Sequence, residues 1–443
     1  MTMSSTHRPR ARTILLIMCV LLASLFVRGT VAASAQDTPS EGLICETSPN
    51  FTFNLTATSG YITEPDGNTI YMWGYAGQSG QFQLPGPTMC VPEGAQVTIT
   101  LKNLLAEPVS VVFPGQTGVT ADSMPAQPIF DSNNLMTSLI KPAAANGGTV
   151  TYSFKASRPG TFLYESGTDQ AKQVQMGLYG ALIVRPTSNQ TPSGTPLNQA
   201  YDDPSSVFDP SHEYLHLLSE VDPAFHLAVE RNQPFDLSKL HPRYFMINGR
   251  SMPDTIAPNN AAWLPNQPYG AMLHIVGRVV GDTSPPALVR YLNAGFETFP
   301  FHPHGNDERV IGSDGYSLIA TGAADRSYNK FDIDIPAGQT VDTTVIWTNA
   351  DGYSPSNPIP VDLPALQDQL VTPDTWFSQS PYLGYTGDQP VGITADNQCG
   401  EYYQIAHSHA LNQSTNYGAT FGGMMTLIRI DPPANISTCP AVN

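Results

Sequence analysis

Apolar and polar residues alternate in short runs along most of the chain. In extended backbone successive side chains point to opposite faces, so each run reads as a strand with one face buried. The first group comprises residues 69–75, 86–91 and 96–101, the last two separated by the turn Pro92-Glu93-Gly94. Residues 109–113, 149–154, 161–164 (after the turn Arg158-Pro159-Gly160) and 180–184 complete an antiparallel β-sandwich in which no amphipathic helix is expected.

A second group follows a stretch of Ser, Thr, Asn, Pro and Gly over 186–197 that has little to bury, so residues 187–210 are expected to form a linker. Strands are predicted over 213–218, 244–247, 287–293, 299–304, 309–311, 330–335, 340–347, 402–409 and 423–430, and long surface loops over 351–398. Pro336-Ala337-Gly338-Gln339 has the flavour of Pro92-Glu93-Gly94-Ala95, which hints at one sandwich repeated. The expected organisation is a first domain over 45–186 and a second over 211–435.

Composition agrees: 40 prolines and 36 glycines in 443 residues, with charged residues sparse, suit an all-β chain of many turns. Its start adds a compartment. Arg8, Arg10 and Arg12 precede an apolar run over 14–27 and the small-residue site Ala33-Ser34-Ala35, the layout of a secretory signal peptide over residues 1–35. Export is therefore expected, to a periplasmic or extracellular location, with no membrane association after cleavage. Losing that segment removes four arginines and no acid, taking the net charge from −17 to −21. Such an acidic protein is not expected to bind nucleic acid. The four remaining cysteines allow three disulfide pairings, of which Cys45–Cys90 with Cys399–Cys439 ties each chain end to its own domain.

The candidate chemistry lies in two His-x-His pairs, His302 with His304 and His407 with His409. On a strand each pair puts both imidazoles on one side of the sheet, and four converging imidazoles suit one or two copper or zinc ions. His212 and His216 also share a predicted strand face but stand apart from these pairs. Asp307, Glu308, Asp314 and Glu401 are candidates to accept from the metal-bound rings.

The stretches Gly86-Pro87-Thr88, Val174–Val184, Tyr244–Gly249, Val289–Gly295, His302–Gly305 and His407–His409 with Gly423-Met424-Met425 occur in an order that resembles the multicopper oxidases, in a two-domain form. The resemblance implies two cupredoxin-like Greek-key β-sandwich domains. It also implies a blue (type 1) copper fed by substrate and a three-copper cluster that reduces dioxygen. Carried over position by position, the resemblance makes His302 a type 2 ligand and His304, His407 and His409 type 3 ligands. Ser408 stands at the type 1 cysteine, Phe299 at one type 1 histidine and Gln413 near the other, while Met424 or Met425 is the axial candidate. First-domain ligands are replaced by Val112-Phe113-Pro114-Gly115 and Glu165-Ser166-Gly167. Glu165, implied to face the cluster across a domain interface that in two-domain members lies between subunits of a homotrimer, is a candidate ligand or general base.

These residues imply an exported copper-binding oxidoreductase with a four-histidine site and no type 1 copper, acting on a small-molecule substrate or electron donor that the sequence does not identify. Two alternatives stand beside it: a non-redox protein holding zinc or copper for storage or delivery, and a metal-free cupredoxin module kept for interaction.

Overall fold

The computed structural model describes residues 41–187, 198–305, 307–319, 325–349 and 402–431. Residues 1–35, expected to be a signal peptide, residues 188–197 of the expected linker, residues 351–398, expected to be loops, and Glu401, Cys399 and Cys439 lie outside the described residues. The described residues form one compact unit.

The fold is mostly β, in two sandwiches. In the first, a six-stranded sheet runs in the order Thr69–Ala76, Thr52–Thr63, Gln96–Asn103, Thr149–Lys155, Thr120–Ala121, Met124–Pro125, and faces a three-stranded sheet of Gly160–Glu165, Tyr179–Arg185 and Met89–Pro92. In the second, a nine-stranded sheet centred on Ala287–Asn293 and Glu213–Val221 faces a five-stranded sheet ordered Leu273–Val276, Met425–Asp431, Tyr402–Ser408, Phe299–Pro303, Ile333–Ile335. Alternation explains the layers: in Thr52–Thr63 the inward positions Phe53, Leu55 and Ala57 are buried between exposed or half-exposed neighbours.

The two sandwiches repeat one topology. Thr52–Thr63 lies parallel to Gln96–Asn103 as Glu213–Val221 lies parallel to Ala287–Asn293. Met89–Pro92 lies parallel to Tyr179–Arg185 as Leu273–Val276 lies parallel to Met425–Asp431. The Pro-x-Gly turns that hinted at a repeat share a geometry, with Gly94 at φ 80° and Gly338 at φ 76°, but join different strands in the two copies. The repeat therefore lives in strand pairing rather than in those turns.

The disulfide Cys45–Cys90 is present as expected. The predicted strand over 109–113 needs correction, and three elements lie beyond the prediction. Residues 109–113 are not a strand: Val109, Val111 and Phe113 are buried, but the segment is flanked by Pro108 and Pro114 and makes only the isolated bridges Val109 to Ala143 and Val112 to Glu165. The 12-residue strand Thr52–Thr63 was not anticipated. Helices are also present: a single turn, Gln170–Gln173, in the first sandwich, and Pro223–Glu230, capped by Asp222 accepting from the Ala224 and Phe225 amides.

Between the sandwiches runs a buried ionic seam. Arg290 donates from Nε to Glu213 (2.8 Å) and from Nη1 to the Thr161 hydroxyl (2.9 Å), while Arg185 pairs with the same Glu213 at 2.7 Å. With five N–H donors Arg290 cannot be buried unpaired, so this seam fixes how Gly160–Glu165 meets the second sandwich.

Candidate metal centre

The Phe299–Pro303 and Tyr402–Ser408 strands pair antiparallel, with Phe301 opposite Ser408, His302 opposite His407 and Pro303 opposite Ala406. Period two sends Phe301 and Ser408 into the interior, where both are fully buried, and leaves His302 and His407 together on the other face. His304 and His409 follow at the strand ends, held by their amides to the carbonyls of Ile405 (2.8 Å) and Pro300 (2.7 Å). Gly305 turns the chain after His304 at φ 70°, where a Cβ would strike the Gln404 side chain. Ring centroids lie 4.8 Å apart for His302 and His304, 5.1 Å for His302 and His409, 5.0 Å for His304 and His407, 5.8 Å for His302 and His407, and 6.0 Å for His407 and His409.

The hydrogen bonds select tautomers. His302 Nδ1 donates to the Phe331 carbonyl (2.5 Å) and His407 Nδ1 to the Ser408 carbonyl (2.8 Å), so both rings keep Nε2 as a lone pair. His304 Nε2–H then donates to His407 Nε2 at 3.0 Å. Burial lowers the His304 pKa, with the neighbouring His302 and His409 charges acting the same way. Burial likewise lowers that of His407, against the Ser408 hydrogen bond and with the other three rings. Both effects favour the neutral imidazole that a metal requires.

Two nitrogens 3.0 Å apart can both lie about 2.0–2.1 Å from one ion, so His304 and His407 are spaced to share a metal in place of the proton now between them. Among the described residues, no three His, Cys, Asp or Glu side chains are gathered closely enough to hold an ion as they stand. His302 and His409 lie beside this pair, their ring centroids 4.8 Å from His304 and 6.0 Å from His407. The donor chemistry, four imidazoles, fits copper or zinc.

Among the described residues, the carboxylates Glu308 and Asp314 are engaged elsewhere than at these rings. Glu308 is buried in the core, bonded to Tyr291 Oη (2.9 Å) and Thr343 Oγ1 (2.5 Å), with burial pushing its pKa to about 7. Asp314 accepts from the Thr340 amide at 3.0 Å, and Asp307 is exposed. Backbone carbonyls take the role expected of them. His212 and His216 do not share a strand: His212 precedes Glu213–Val221 and pairs with Asp209 at 2.9 Å. His216 is fully buried, donating from Nε2 to the Ala271 carbonyl (2.9 Å). Its ring lies 5.5 Å from that of Phe301, directly behind the histidine face.

Glu165 ends the strand Gly160–Glu165, and its carboxylate accepts from Gln170 Nε2 at 3.3 Å. Its place is the counterpart of His407 in the other sandwich. Glu165 bridges Val112 as His407 pairs with His302. Ser166 donates to Gln173 Oε1 (2.6 Å) as Ser408 donates to Gln413 Oε1 (2.5 Å). Even the amides match, Ser166 to the Leu178 carbonyl and Ser408 to that of Met424. Burial raises the Glu165 pKa to about 7, opposed by the Gln170 bond.

Behind the second-sandwich site, Gln413 relays from Ser408 to Glu297 Oε2 at 2.7 Å, and Phe299 and Met424 pack together in the core. A hydroxyl, an amide, a phenyl ring and a thioether therefore sit where the sequence placed the type 1 positions.

Residues 56–189 match the family model described as multicopper oxidase. The similarity to that family lies in the first sandwich. Laccase 1 of Metarhizium majus (strain ARSEF 297) is 32% identical over 135 residues, 30% of this chain and 20% of that protein, so the chain spans about a fifth of that relative's length. Laccase 1 of Metarhizium guizhouense (strain ARSEF 977) is 31% identical over the same length. Across nearly the whole chain the fold is that of multicopper oxidases. The blue copper oxidase from Nitrosomonas europaea superposes with a TM-score of 0.53 at 18% identity, covering 87% of this chain and 86% of that one. A multicopper oxidase titled mgLAC does so with 0.52 at 18%, covering 86% of each.

Proposed function

We propose that this is an exported, copper-binding oxidoreductase of the multicopper oxidase type in which His302, His304, His407 and His409 hold the metal and no type 1 copper is present. The observation that carries the reading is the His302–His407 cross-strand pair, with His304 Nε2 3.0 Å from His407 Nε2 and both Nδ1 atoms of the pair committed to carbonyls. Copper is favoured over zinc because imidazole sites bind it more tightly than other divalent first-row ions. When bound, it would supply one-electron redox cycling or polarisation of an oxygen substrate. The chain's own part is to keep the His304 and His407 rings neutral and their Nε2 atoms 3.0 Å apart. Ser408 and Gln413 offer a hydroxyl and an amide to each other where a thiolate and an imidazole would be needed, which supports the absence of a type 1 copper.

Glu165, at the counterpart position in the other sandwich, is read as a carboxylate ligand or general base brought to a metal across an interface between subunits, in a homotrimer. The signal-like start and the acidic surface support export, an extracellular or periplasmic location, and a small-molecule rather than nucleic-acid partner.

The test is elemental analysis of the purified protein after copper reconstitution, beside a His302→Ala/His407→Ala variant, with oxygen consumption and light scattering for subunit number. Copper near or above one per chain, lost in the variant and without intense blue absorption, supports the reading. Zinc at full occupancy with no oxygen uptake moves it to storage or delivery, and no metal in either protein overturns it.

A further inference from the structure

Away from the histidines, a cleft of about 550 Å³ lies between the first sandwich and the Pro223–Glu230 helix with the loop after it. Its volume is that of a small-ligand site. Its walls are aromatic: Tyr71 and Trp73 from one side, Phe225 and Phe235 from the other, the last two 5.2 Å apart edge to face. Among the described residues its charged lining is mostly acidic, with Glu107, Asp169 and Glu230 against the cation Lys172, and Asn232 and Gln233 add neutral amides.

Lys172 shows what this lining attracts. Its ammonium sits over the Trp73 ring, 5.2 Å from the centroid, and forms an ion pair with Glu107. An indole face and a carboxylate thus already hold one ammonium. Among the described residues that pairing uses the only cation lining the cleft and leaves Asp169 and Glu230 without a positive partner there; Glu230 accepts the Tyr61 hydroxyl (2.5 Å), and Asp169 makes no side-chain bond to the helix it precedes. We propose that this cleft binds a small organic cation, a protonated amine carried on a flat apolar body, with the body against the aromatic walls and the ammonium beside Asp169 and Glu230. The site shares no residue with the histidine cluster and is independent of whether metal binds there.

The probe is 2-phenylethylammonium, titrated into the full chain by calorimetry at neutral pH beside its neutral counterpart 2-phenylethanol and methyl glucoside. The ammonium is expected to bind at least about fivefold more tightly than the alcohol. Asp169→Asn and Glu230→Gln should each weaken it by about threefold or more, while Lys172→Met, which frees Glu107 and the Trp73 face, should tighten it. Asn tolerates the left-handed backbone at position 169 (φ 41°), and Gln still accepts from Tyr61, so both variants are compatible with the fold. Equal affinity for the alcohol, preference for the glucoside, affinity unmoved by the charge changes in a protein of unchanged melting temperature, or no binding at ~20 mM ammonium overturns the proposal.

Discussion

His407 stands opposite His302 in the second sandwich where Glu165 stands opposite Val112 in the first. One antiparallel bridge geometry thus occurs twice, loaded with different side chains: imidazoles in one copy, a carboxylate and an isopropyl group in the other. What both copies retain lies behind that face, a buried serine donating to a glutamine.

The serine–glutamine pairs give the first prediction. Removing the hydroxyl at Ser408 or Ser166 leaves a glutamine carbonyl buried without its donor, 2.5 and 2.6 Å away in the intact protein. Each Ser→Ala change should cost about 1–3 kcal/mol. Chemical denaturation of the two variants measures it, and a cost within a few tenths of zero for both would show that the pairs contribute nothing to stability.

How much of this was legible follows from what each feature is made of. The strands Tyr244–Ile247 and Ala287–Asn293 fall where alternation and flanking turns placed them. The histidine pairs were visible because side-chain period is a property of sequence. Their carbonyl partners were not, because Phe331 and Ser408 contribute backbone oxygens that no residue type marks. Thr52–Thr63 escaped because Ser59 and Gly60 dilute its apolar alternation, and Pro223–Glu230 because eight residues are too few to show a helical period beyond the Asp222-Pro223 start. The aromatic cleft draws on residues from Tyr71 to Leu237, and only the fold brings them together.

His274 carries a pH-dependent tether between chain segments far apart in sequence. Its Nδ1 bonds Glu41 (2.5 Å) and its Nε2 lies 2.8 Å from Asp431. Burial opposes its charge, but the bonds and charges of Asp431 and Glu41 outweigh burial and raise the pKa from 6.5 to about 9. A raised pKa stabilises the folded protein fully below the unfolded value of 6.5 and is lost as pH climbs through about 9. His274→Gln should therefore cost on the order of 2–3 kcal/mol at neutral pH, and its melting curve should converge with that of the parent above pH ~9.5. Parallel curves from pH 7 to 10 would contradict this.

Glu220 also lowers stability as pH rises, through burial of a carboxyl rather than loss of an ion pair. It is buried, one oxygen accepts the Phe296 amide (2.7 Å) and the other has no hydrogen-bond partner among the described residues. Burial chiefly, with Glu297 nearby, lifts its pKa from 4.5 to about 8. Ionising it therefore weakens the fold progressively as pH rises from 4.5 through about 8. Glu220→Gln, which resembles the protonated acid, should match the parent near pH 4 and exceed its stability by ~2 kcal/mol or more at pH 9. Urea midpoints at the two pH values decide it.

The Cys45–Cys90 bridge closes a loop of 45 residues. By chain entropy its removal as Cys45→Ser/Cys90→Ser should cost roughly 4 kcal/mol. Reduction of the parent should reproduce the loss, and a variant as stable as the oxidised parent would show that the reduced loop is already ordered when the chain unfolds.

Metal binding at the histidine face should be readable as stability, without reference to catalysis. A ligand held only by the folded state raises stability by RT ln(1 + [L]/Kd), about 2.7 kcal/mol at a hundred times Kd. Copper(II) in that excess should thus raise the melting temperature of the parent. His407→Ala removes the nitrogen 3.0 Å from His304 and should abolish the rise, whereas His302→Ala, which leaves the His304–His407 pair intact, should reduce it. Zinc tested alike separates the readings: a smaller shift follows from the affinity order of imidazole sites, and an equal or larger one favours a non-redox site. Identical copper shifts in parent and both variants would locate the metal away from these rings.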